Sequence, residues 1–264
     1  MTTAIVAPAA AVPIVESGEG GRWREGGYPG AKNGSGVFQR LISQMPAHEV
    51  YVAGFAGHDA LFFRKRPAGS AIVIDASESV SMWWLARASP TLTVLQDDFL
   101  VWVRTREGQA VTRDRATLLY LDPPYLFSTR CPQKKLYGVH DMGTEEDHAE
   151  LLDLILPLRC MVMISGYDSP LYSRKLGHWR SINYPVMTRG GLKPEFCWMN
   201  FPAGLELHDC RYVGANFRER DKLKRKKLRL QKRIAAMSPE ERQFMREALD
   251  EVDLSAISFD TAGG

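Results

Sequence analysis

The chain has 264 residues, of which 45% are hydrophobic and 25% charged, and a formal net charge of +3. This length and balance fit one α/β domain with appendages, or two small domains, of a soluble protein. The cysteines show neither metal-ligand spacing nor a dense disulfide pattern, which favours a reducing cytosol; they are Cys131, Cys160, Cys197 and Cys210.

Residues 1–26 are predicted to form a mostly disordered leader. The apolar run at 4–15 is broken by Pro8 and Pro13 and has no positive charge before it. It is also too short to span a bilayer, which takes about 20 residues. We therefore expect no membrane partner.

The middle of the chain alternates short apolar strands with helical segments, which is typical of a largely parallel sheet covered on both faces. Strands are predicted at 49–55, 71–75, 91–95, 117–122 and 160–165. Helices are predicted at 36–44, 77–87 and 144–156, the last with Thr144 as N-cap and Asp147 three residues on. A hairpin of 180–186 and 195–201, turning through 189–191, adds antiparallel strands.

The segment 218–233 is strongly basic. It holds ten basic and two acidic residues, a net charge of +8, so the rest of the chain carries −5. Leu223, Leu228 and Leu230 give it only a narrow apolar edge, which predicts a solvated helix laid against phosphates or, alternatively, a merely soluble helix. Ser238 and Pro239 then begin a second helix that runs to about residue 252. Residues 253–264 are expected to fray.

The motif Asp122-Pro123-Pro124-Tyr125 directly follows the apolar run 118–121. Asp122 and the Pro123 carbonyl can each accept a hydrogen bond from an exocyclic amine of a nucleobase, which favours a pyramidal, nucleophilic nitrogen. The prolines hold the carbonyl rigidly, and Tyr125 offers a face for stacking. The alternative is an ordinary strand-to-loop exit, since aspartate and proline are common there.

Further candidate residues follow the other predicted strands, where ligands collect in sheets of this kind. Phe55-Ala56-Gly57 follows the first strand, and the glycine allows a cofactor to approach the backbone. Asp75 ends the second strand and can bind a ribose diol, while Asp98-Phe99 follows the third. For Asp75 and Asp98, capping of a helix is the alternative role.

The order of these motifs resembles that of the Dam-like DNA adenine N6-methyltransferases, especially phage and prophage members. The resemblance runs from about Tyr28 to Phe201 and starts with Tyr28-Pro29-Gly30-Ala31-Lys32. It implies a Rossmann-like methyltransferase sheet at 27–208 and S-adenosylmethionine as cofactor. It also implies that Tyr28 and Lys32 lie at the cofactor or the flipped base, that Asp98 accepts from the cofactor's adenine amine and that Phe99 packs near that ring.

The chain departs from the family pattern at the first motif, which usually reads acid-Pro-Phe-x-Gly-x-Gly. Here Ala53 and Gly54 replace the acid and the proline, and Asp59 replaces the final glycine. Either Asp59 or another carboxylate binds the ammonium group of the cofactor, or its affinity falls by about tenfold to a hundredfold.

Contacts to DNA are expected from three places, because residues 97–116 leave no room for a recognition domain between the third and fourth strands. Basic residues with interleaved aromatics at 126–143 suit a loop that grips phosphates around an extruded base, although a mobile surface loop is the alternative. The other two places are the hairpin and the basic helix of the helical C-terminal extension at 209–252. The residues are Arg130, Lys134, Lys135, Tyr137, His140, Arg189, Lys193, Lys224, Arg225, Lys226 and Lys227.

The sequence therefore predicts S-adenosylmethionine-dependent methylation of the adenine N6 amine in double-stranded DNA by base flipping, by an orphan phage or prophage type of enzyme. The alternatives are N4-cytosine methylation and a catalytically weak DNA-binding protein that retains the fold. No histidine spacing indicates a metal. We expect a cytoplasmic, nucleoid-associated protein for which a homodimer is an open alternative.

Overall fold

The computed structural model describes residues 4–5, 32–34, 36–129, 141–188 and 191–251. The chain divides into two compact units, Met1–Tyr212 and Val213–Gly264. Within the segment predicted as a leader, Ala4–Ile5 forms a two-residue strand, β1. The rest of the leader, most of the predicted DNA-contacting loop and the predicted tail lie outside the described residues.

The first unit is built on one sheet, with the strand order β1-β4-β3-β2-β5-β6-β8-β7. The strands are β2 (Val50–Gly54), β3 (Ser70–Asp75), β4 (Leu92–Gln96), β5 (Thr117–Leu121), β6 (Met161–Gly166), β7 (Arg180–Thr188) and β8 (Gly191–Met199). Strands β4, β3, β2, β5 and β6 are parallel, whereas β8 pairs antiparallel with β6 and β7. The predicted Rossmann-like fold, a mostly parallel sheet with an antiparallel hairpin, is confirmed.

Helices connect these strands. They are α1 (Val37–Ile42), α2 (Ala60–Arg64), α3 (Glu78–Leu85), α4 (Phe99–Trp102), α5 (Arg106–Arg113), α6 (Glu145–Ile155) and α7 (Pro170–Leu176). Thr144 caps α6 as predicted, because its side chain accepts from Asp147 N and the Asp147 side chain accepts from Thr144 N. Short 3₁₀ helices at Phe127–Thr129 and Cys210–Tyr212 follow β5 and β8.

The core lies on both faces of the sheet, as a parallel sheet requires. In β5 all five residues are buried, and they alternate between the two faces. Leu119 and Leu121 join one apolar cluster, while Leu118 and Tyr120 join the other. Because side chains alternate between the two faces, Asp122, which is two residues after Tyr120, lies on the same face of the sheet as Tyr120.

The second unit contains, in the residues that the structure describes, the helices α8 (Phe217–Ala235) and α9 (Pro239–Glu251). Asn216 caps α8 by accepting from Glu219 N at 3.0 Å. No residue of either helix is buried in the part of this unit that the structure describes. Throughout the described ranges, none of the helices combines the length and the apolar character that crossing a membrane would take.

Candidate active site

A buried charge cluster lies at the carboxyl end of β5. Lys32, which precedes α1, places its Nζ 2.8 Å from Asp122 Oδ1 and 3.0 Å from Glu195 Oε1 on β8. The same ammonium donates to the Tyr125 hydroxyl at 2.5 Å. Three distant parts of the chain therefore meet at the motif that the sequence singles out, and Lys32 lies at Asp122 rather than on the surface.

The two oxygens of Asp122 have different surroundings. Oδ1 pairs with Lys32 and accepts from the Tyr125 hydroxyl at 2.8 Å. Within the described ranges, no group donates to Oδ2, and the Asp122 side chain is 19% exposed, whereas those of Lys32 and Glu195 are only 5% and 4% exposed. One oxygen is thus held by the protein, and the other is open to a ligand.

The cluster perturbs its own charges. Burial raises the pKa of Asp122, the Lys32 ammonium opposes this shift and the Glu195 carboxylate adds to it. Burial alone would lower the pKa of Lys32, but Asp122 and Glu195 outweigh it and raise the pKa. Lys32 therefore remains charged, and two carboxylates share that one ammonium.

A chain of hydrogen-bonded hydroxyl groups leads to the Glu195 carboxylate of the cluster. Tyr184 on β7 donates to Glu195 Oε1 at 2.8 Å and lies 3.2 Å from Ser165 Oγ. Ser165 Oγ in turn lies 3.0 Å from the Tyr120 hydroxyl. Because every one of these side chains is buried and hydrogen bonded, the carboxylate of Glu195 is held in one orientation.

The proline pair is anchored by a buried histidine on α6. His148 Nε2 lies 3.0 Å from the Pro124 carbonyl and 2.8 Å from the Met142 carbonyl. Both partners only accept, so Nε2 carries the proton and Nδ1 accepts from the Tyr172 hydroxyl at 2.8 Å. His148 thus fixes Pro124, while within the described ranges no group donates to the carbonyl of Pro123.

The predicted cofactor residues gather at the ends of β2, β3 and β4. Phe55 has a φ of 58°, and its ring lies 5.4 Å from that of Phe99. Asp75 Oδ2 accepts from Gly57 N at 2.8 Å and its Oδ1 from Ser77 N at 2.9 Å. Asp75 therefore shapes the Phe55-Ala56-Gly57 turn, and its contact with a ribose stays a prediction.

The end of β4 offers a second pair of carboxylates. Asp98 is exposed and accepts from Leu100 N at 2.6 Å, so it caps α4, the alternative role that the sequence suggests. Asp97 Oδ2 is buried and has no hydrogen-bond partner in the described structure. A buried acceptor without a partner, two residues before Phe99, fits an amine donor such as that of the adenine ring of S-adenosylmethionine.

The strand end that carries the first motif is tightly packed. Ala53 is 1% exposed and lies in the core. A Cβ on Gly54 would lie 2.6 Å from Leu121 Cδ2 and 2.7 Å from Phe99 Cδ2, so this strand end has no room for the proline of the family pattern. The geometry of β2 is adapted to glycine.

Asp59, the other candidate for binding the cofactor's ammonium group, is already engaged. Its Oδ2 accepts from the Tyr51 hydroxyl at 2.7 Å, and its Oδ1 accepts from Leu61 N at 2.8 Å as the cap of α2. Burial raises its pKa to about 6, against the hydrogen bonds from Tyr51 and Leu61, which lower it. Contact with the cofactor stays a prediction for Asp59.

The residues predicted to bind DNA fall into three groups. The Lys193 ammonium donates to the Thr129 carbonyl and lies 3.9 Å from the centroid of the Tyr167 ring. The centroids of the Tyr167 and Tyr125 rings are 5.0 Å apart. On α8 of the second unit, Lys224, Arg225, Lys226 and Lys227 are exposed. Outside the described residues lie Arg130, Lys134, Lys135, Tyr137, His140 and Arg189, as does the cofactor candidate Tyr28.

Sequence reasoning missed Glu195 and His148. Glu195 lies in the strand predicted at 195–201, to which the sequence assigns no role in the site, yet its carboxylate pairs with Lys32 beside Asp122. A glutamate between apolar neighbours in a predicted inner strand was the available signal, because buried carboxylates need partners. His148 gave no comparable signal. No group of three or more His, Cys, Asp or Glu in the described ranges could hold a metal ion.

No protein-family model and no curated protein matches the chain. Solved structures that resemble part of it include an rRNA methylase from Streptococcus thermophilus, at a TM-score of 0.39 and 12% identity over 61% of this chain and 92% of that chain. A SAM-dependent methyltransferase from Agrobacterium tumefaciens has a TM-score of 0.40 and 12% identity over 62% and 60%. A precorrin 8W decarboxylase from Methanobacterium thermoautotrophicum has a TM-score of 0.36 and 8% identity over 61% and 86%. Likenesses this weak carry no argument about the reaction.

Proposed function

We propose that this chain is an S-adenosylmethionine-dependent DNA methyltransferase that modifies the N6 amine of adenine in double-stranded DNA by base flipping. One observation carries the proposal. Lys32 and Tyr125 hold Asp122 Oδ1, whereas no described residue donates to Oδ2, which is left open at the carboxyl end of the sheet. An oriented carboxylate with one open oxygen is what binding an exocyclic amine requires.

Asp122 and the proline pair act on the lone pair of that amine, which is delocalised into the base. Asp122 Oδ2 and the carbonyl of Pro123 accept the two N–H groups, and this favours a pyramidal nitrogen. His148 keeps the proline pair in place through Pro124. Tyr125 stacks on the base, while its hydroxyl hydrogen bond to Asp122 fixes the ring beside the carboxylate.

Residues at the ends of β3 and β4 hold the cofactor in this proposal. Asp75 binds the ribose diol, and Asp97, Asp98 and Phe99 surround the adenine ring. When bound, S-adenosylmethionine would supply a methyl group from its sulfonium: the nitrogen–carbon bond forms as the carbon–sulfur bond breaks, the electron pair stays on sulfur, and the methylated, cationic nitrogen then releases one proton to solvent. Since no covalent enzyme intermediate is needed, positioning of the amine is the protein's main contribution.

Substitution of Asp122 tests the chemistry. Asp122→Ala should remove methyl transfer and leave DNA affinity nearly unchanged, because DNA affinity rests largely on phosphate contacts. The control is Asp153→Ala, which removes an exposed carboxylate from α6. If Asp122→Ala keeps more than about a tenth of the rate, the acceptor contributes less than about 1.4 kcal/mol and the role of Asp122 is refuted.

The basic helix α8 is proposed to neutralise phosphates, which carry no sequence information. Replacing Lys224, Arg225, Lys226 and Lys227 by alanine should weaken binding to all duplexes alike. The slope of log K against log salt should flatten by up to about four units, near 0.9 for each lost contact. An alanine variant at Arg242 and Arg246 on α9 is the control, and an unchanged slope in the α8 variant would assign α8 another role.

A further inference from the structure

The carboxylate of Glu195 is buried within a sheet strand, where desolvation of a charge is energetically unfavourable. Its residue is 3% exposed, and Phe196 and Cys197 beside it show that this part of β8 could be apolar. Burying a carboxylate is unfavourable unless charge and hydrogen bonds compensate. Glu195 receives both, from Lys32 at 3.0 Å and from the Tyr184 hydroxyl at 2.8 Å.

The charges around Glu195 do not balance. Asp122 and Glu195 each lie within 3.0 Å of the same ammonium, that of Lys32. In the described structure, the other titratable groups that interact with these carboxylates are the more distant Asp59 and a set of uncharged side chains. The uncharged side chains are the phenols of Tyr51, Tyr120, Tyr125, Tyr167, Tyr172 and Tyr184 and the thiol of Cys197. With both carboxylates ionised, the cluster of three carries one excess negative charge.

This excess matters for the amine that Asp122 would bind. An Asp122–Lys32 pair alone would be neutral, and the ammonium would draw electron density from the carboxylate that must accept a hydrogen bond. Because Glu195 also pairs with this ammonium, Lys32 draws less electron density from Asp122. As the amine nitrogen forms its new bond it becomes positively charged, and a site with net negative charge stabilises that change.

We propose that Glu195 is a positioning residue that shares Lys32 with Asp122, so that the open oxygen of Asp122 stays a strong acceptor for the target amine. This inference rests on the proposed methyl transfer. Glu195 contacts Lys32 and not the open oxygen of Asp122, so it acts on Asp122 through the shared ammonium and through its own nearby negative charge. In this proposal, the effect of Glu195 on Asp122 comes from its negative charge and not from its side-chain volume.

The wild-type protein offers the first test, which needs no DNA and no cofactor. Carbon-13 NMR of labelled aspartate carboxyls would follow Asp122 against pH. Because Asp122 shares the Lys32 ammonium with a second carboxylate, its resonance should shift in more than one step. A single-step curve for Asp122 would overturn the inference, whatever the enzyme's activity.

The second test removes the charge and keeps the shape. In Glu195→Gln, Asp122 should titrate at least one pH unit lower, because the neighbouring negative charge that disfavours its ionisation is gone. The acid limb of the kcat profile should move in the same direction, and kcat should fall about tenfold or more with an unchanged KM for DNA. Glu195→Asp should restore the limb, and Glu150→Gln, on the exposed face of α6, should change nothing.

The outcomes separate this inference from the proposed function. Lost activity with an unmoved Asp122 titration in Glu195→Gln would show a merely structural role and overturn the inference. If the wild-type protein methylates no adenine, the proposed function fails, and the NMR titrations still decide whether Glu195 controls the charge state of Asp122.

Discussion

Removing the shared ammonium should destabilise the protein strongly and in a pH-dependent way. Lys32→Met keeps the chain length but leaves Asp122 and Glu195 buried without the cation that lies 2.8 and 3.0 Å from them. At an effective dielectric constant near 20, each contact contributes a gross attraction of about 5 kcal/mol. Desolvation offsets most of it, and breaking a buried pair costs about 3–5 kcal/mol net.

The pH dependence follows from Asp122. Burial and the Glu195 carboxylate raise its pKa, and without Lys32 nothing opposes them, so the folded state keeps a proton that the unfolded state, with a pKa of about 4, has lost. Stability is then retained at low pH and lost as the pH rises through the folded pKa. The Lys32→Met variant should lose about 3–5 kcal/mol of its free energy of unfolding near pH 8. Near pH 5 the loss should be only about 1–2 kcal/mol, because protonating one carboxylate there requires little free energy.

Urea denaturation at the two pH values measures this directly. The control is Lys175→Met, because Lys175 forms a pair with Asp153, whose side chain is 62% exposed. That variant should lose less than about 1 kcal/mol at either pH. A loss below about 1 kcal/mol for Lys32→Met near pH 8, or one that is equal at both pH values, would refute the account of the cluster.

Three further predictions concern the neighbouring elements. Gly54→Pro should destabilise by about 3 kcal/mol or more and should not tighten cofactor binding in calorimetry, since proline removes a hydrogen bond from a central strand and its Cβ would meet Leu121 at 2.6 Å. The raised pKa of Asp59, about 6, means that its contribution to stability is present at low pH and lost as the pH rises toward that value. Asp59→Asn should therefore gain on the wild type by up to about 3 kcal/mol between about pH 4 and 7 in denaturation curves, and a constant difference would contradict this. His148→Ala should cost about 1–3 kcal/mol and lower kcat with little change in cofactor affinity, because the Pro124 carbonyl loses its donor; an unchanged kcat would separate His148 from the motif.

The sheet and the position of the motif at 122–125 could be predicted because their signals are local. Short apolar runs with period two, each followed by aspartate, proline or glycine, indicated the strands and placed Asp122 at a carboxyl end. Thr144 was recognised as an N-cap from four adjacent residues. The helices α2, α4, α5 and α7 were missed, since their five, four, eight and seven residues are too few for a clear helical period.

The partners within the site could not be predicted, because they meet through the fold rather than along the sequence. Lys32 and the Tyr125 hydroxyl are 93 residues apart, and His148 is 24 residues from both Pro124 and Tyr172. Only the resemblance suggested that Lys32 lies near the base. The role of Glu195 depends on the register of β8 against β6 and β7, which no local pattern specifies.

Analysis of methylated nucleosides tests the central claim most directly. The purified chain is incubated with duplex DNA and S-adenosylmethionine carrying a labelled methyl group, and the digested DNA is examined by mass spectrometry. Labelled N6-methyladenine is predicted with the wild-type protein and with Asp153→Ala, but not with Asp122→Ala. Label found only in N4-methylcytosine would identify the rival amine as the substrate, and DNA without label under conditions of full binding would contradict the account of Asp122 as the residue that holds the reacting base.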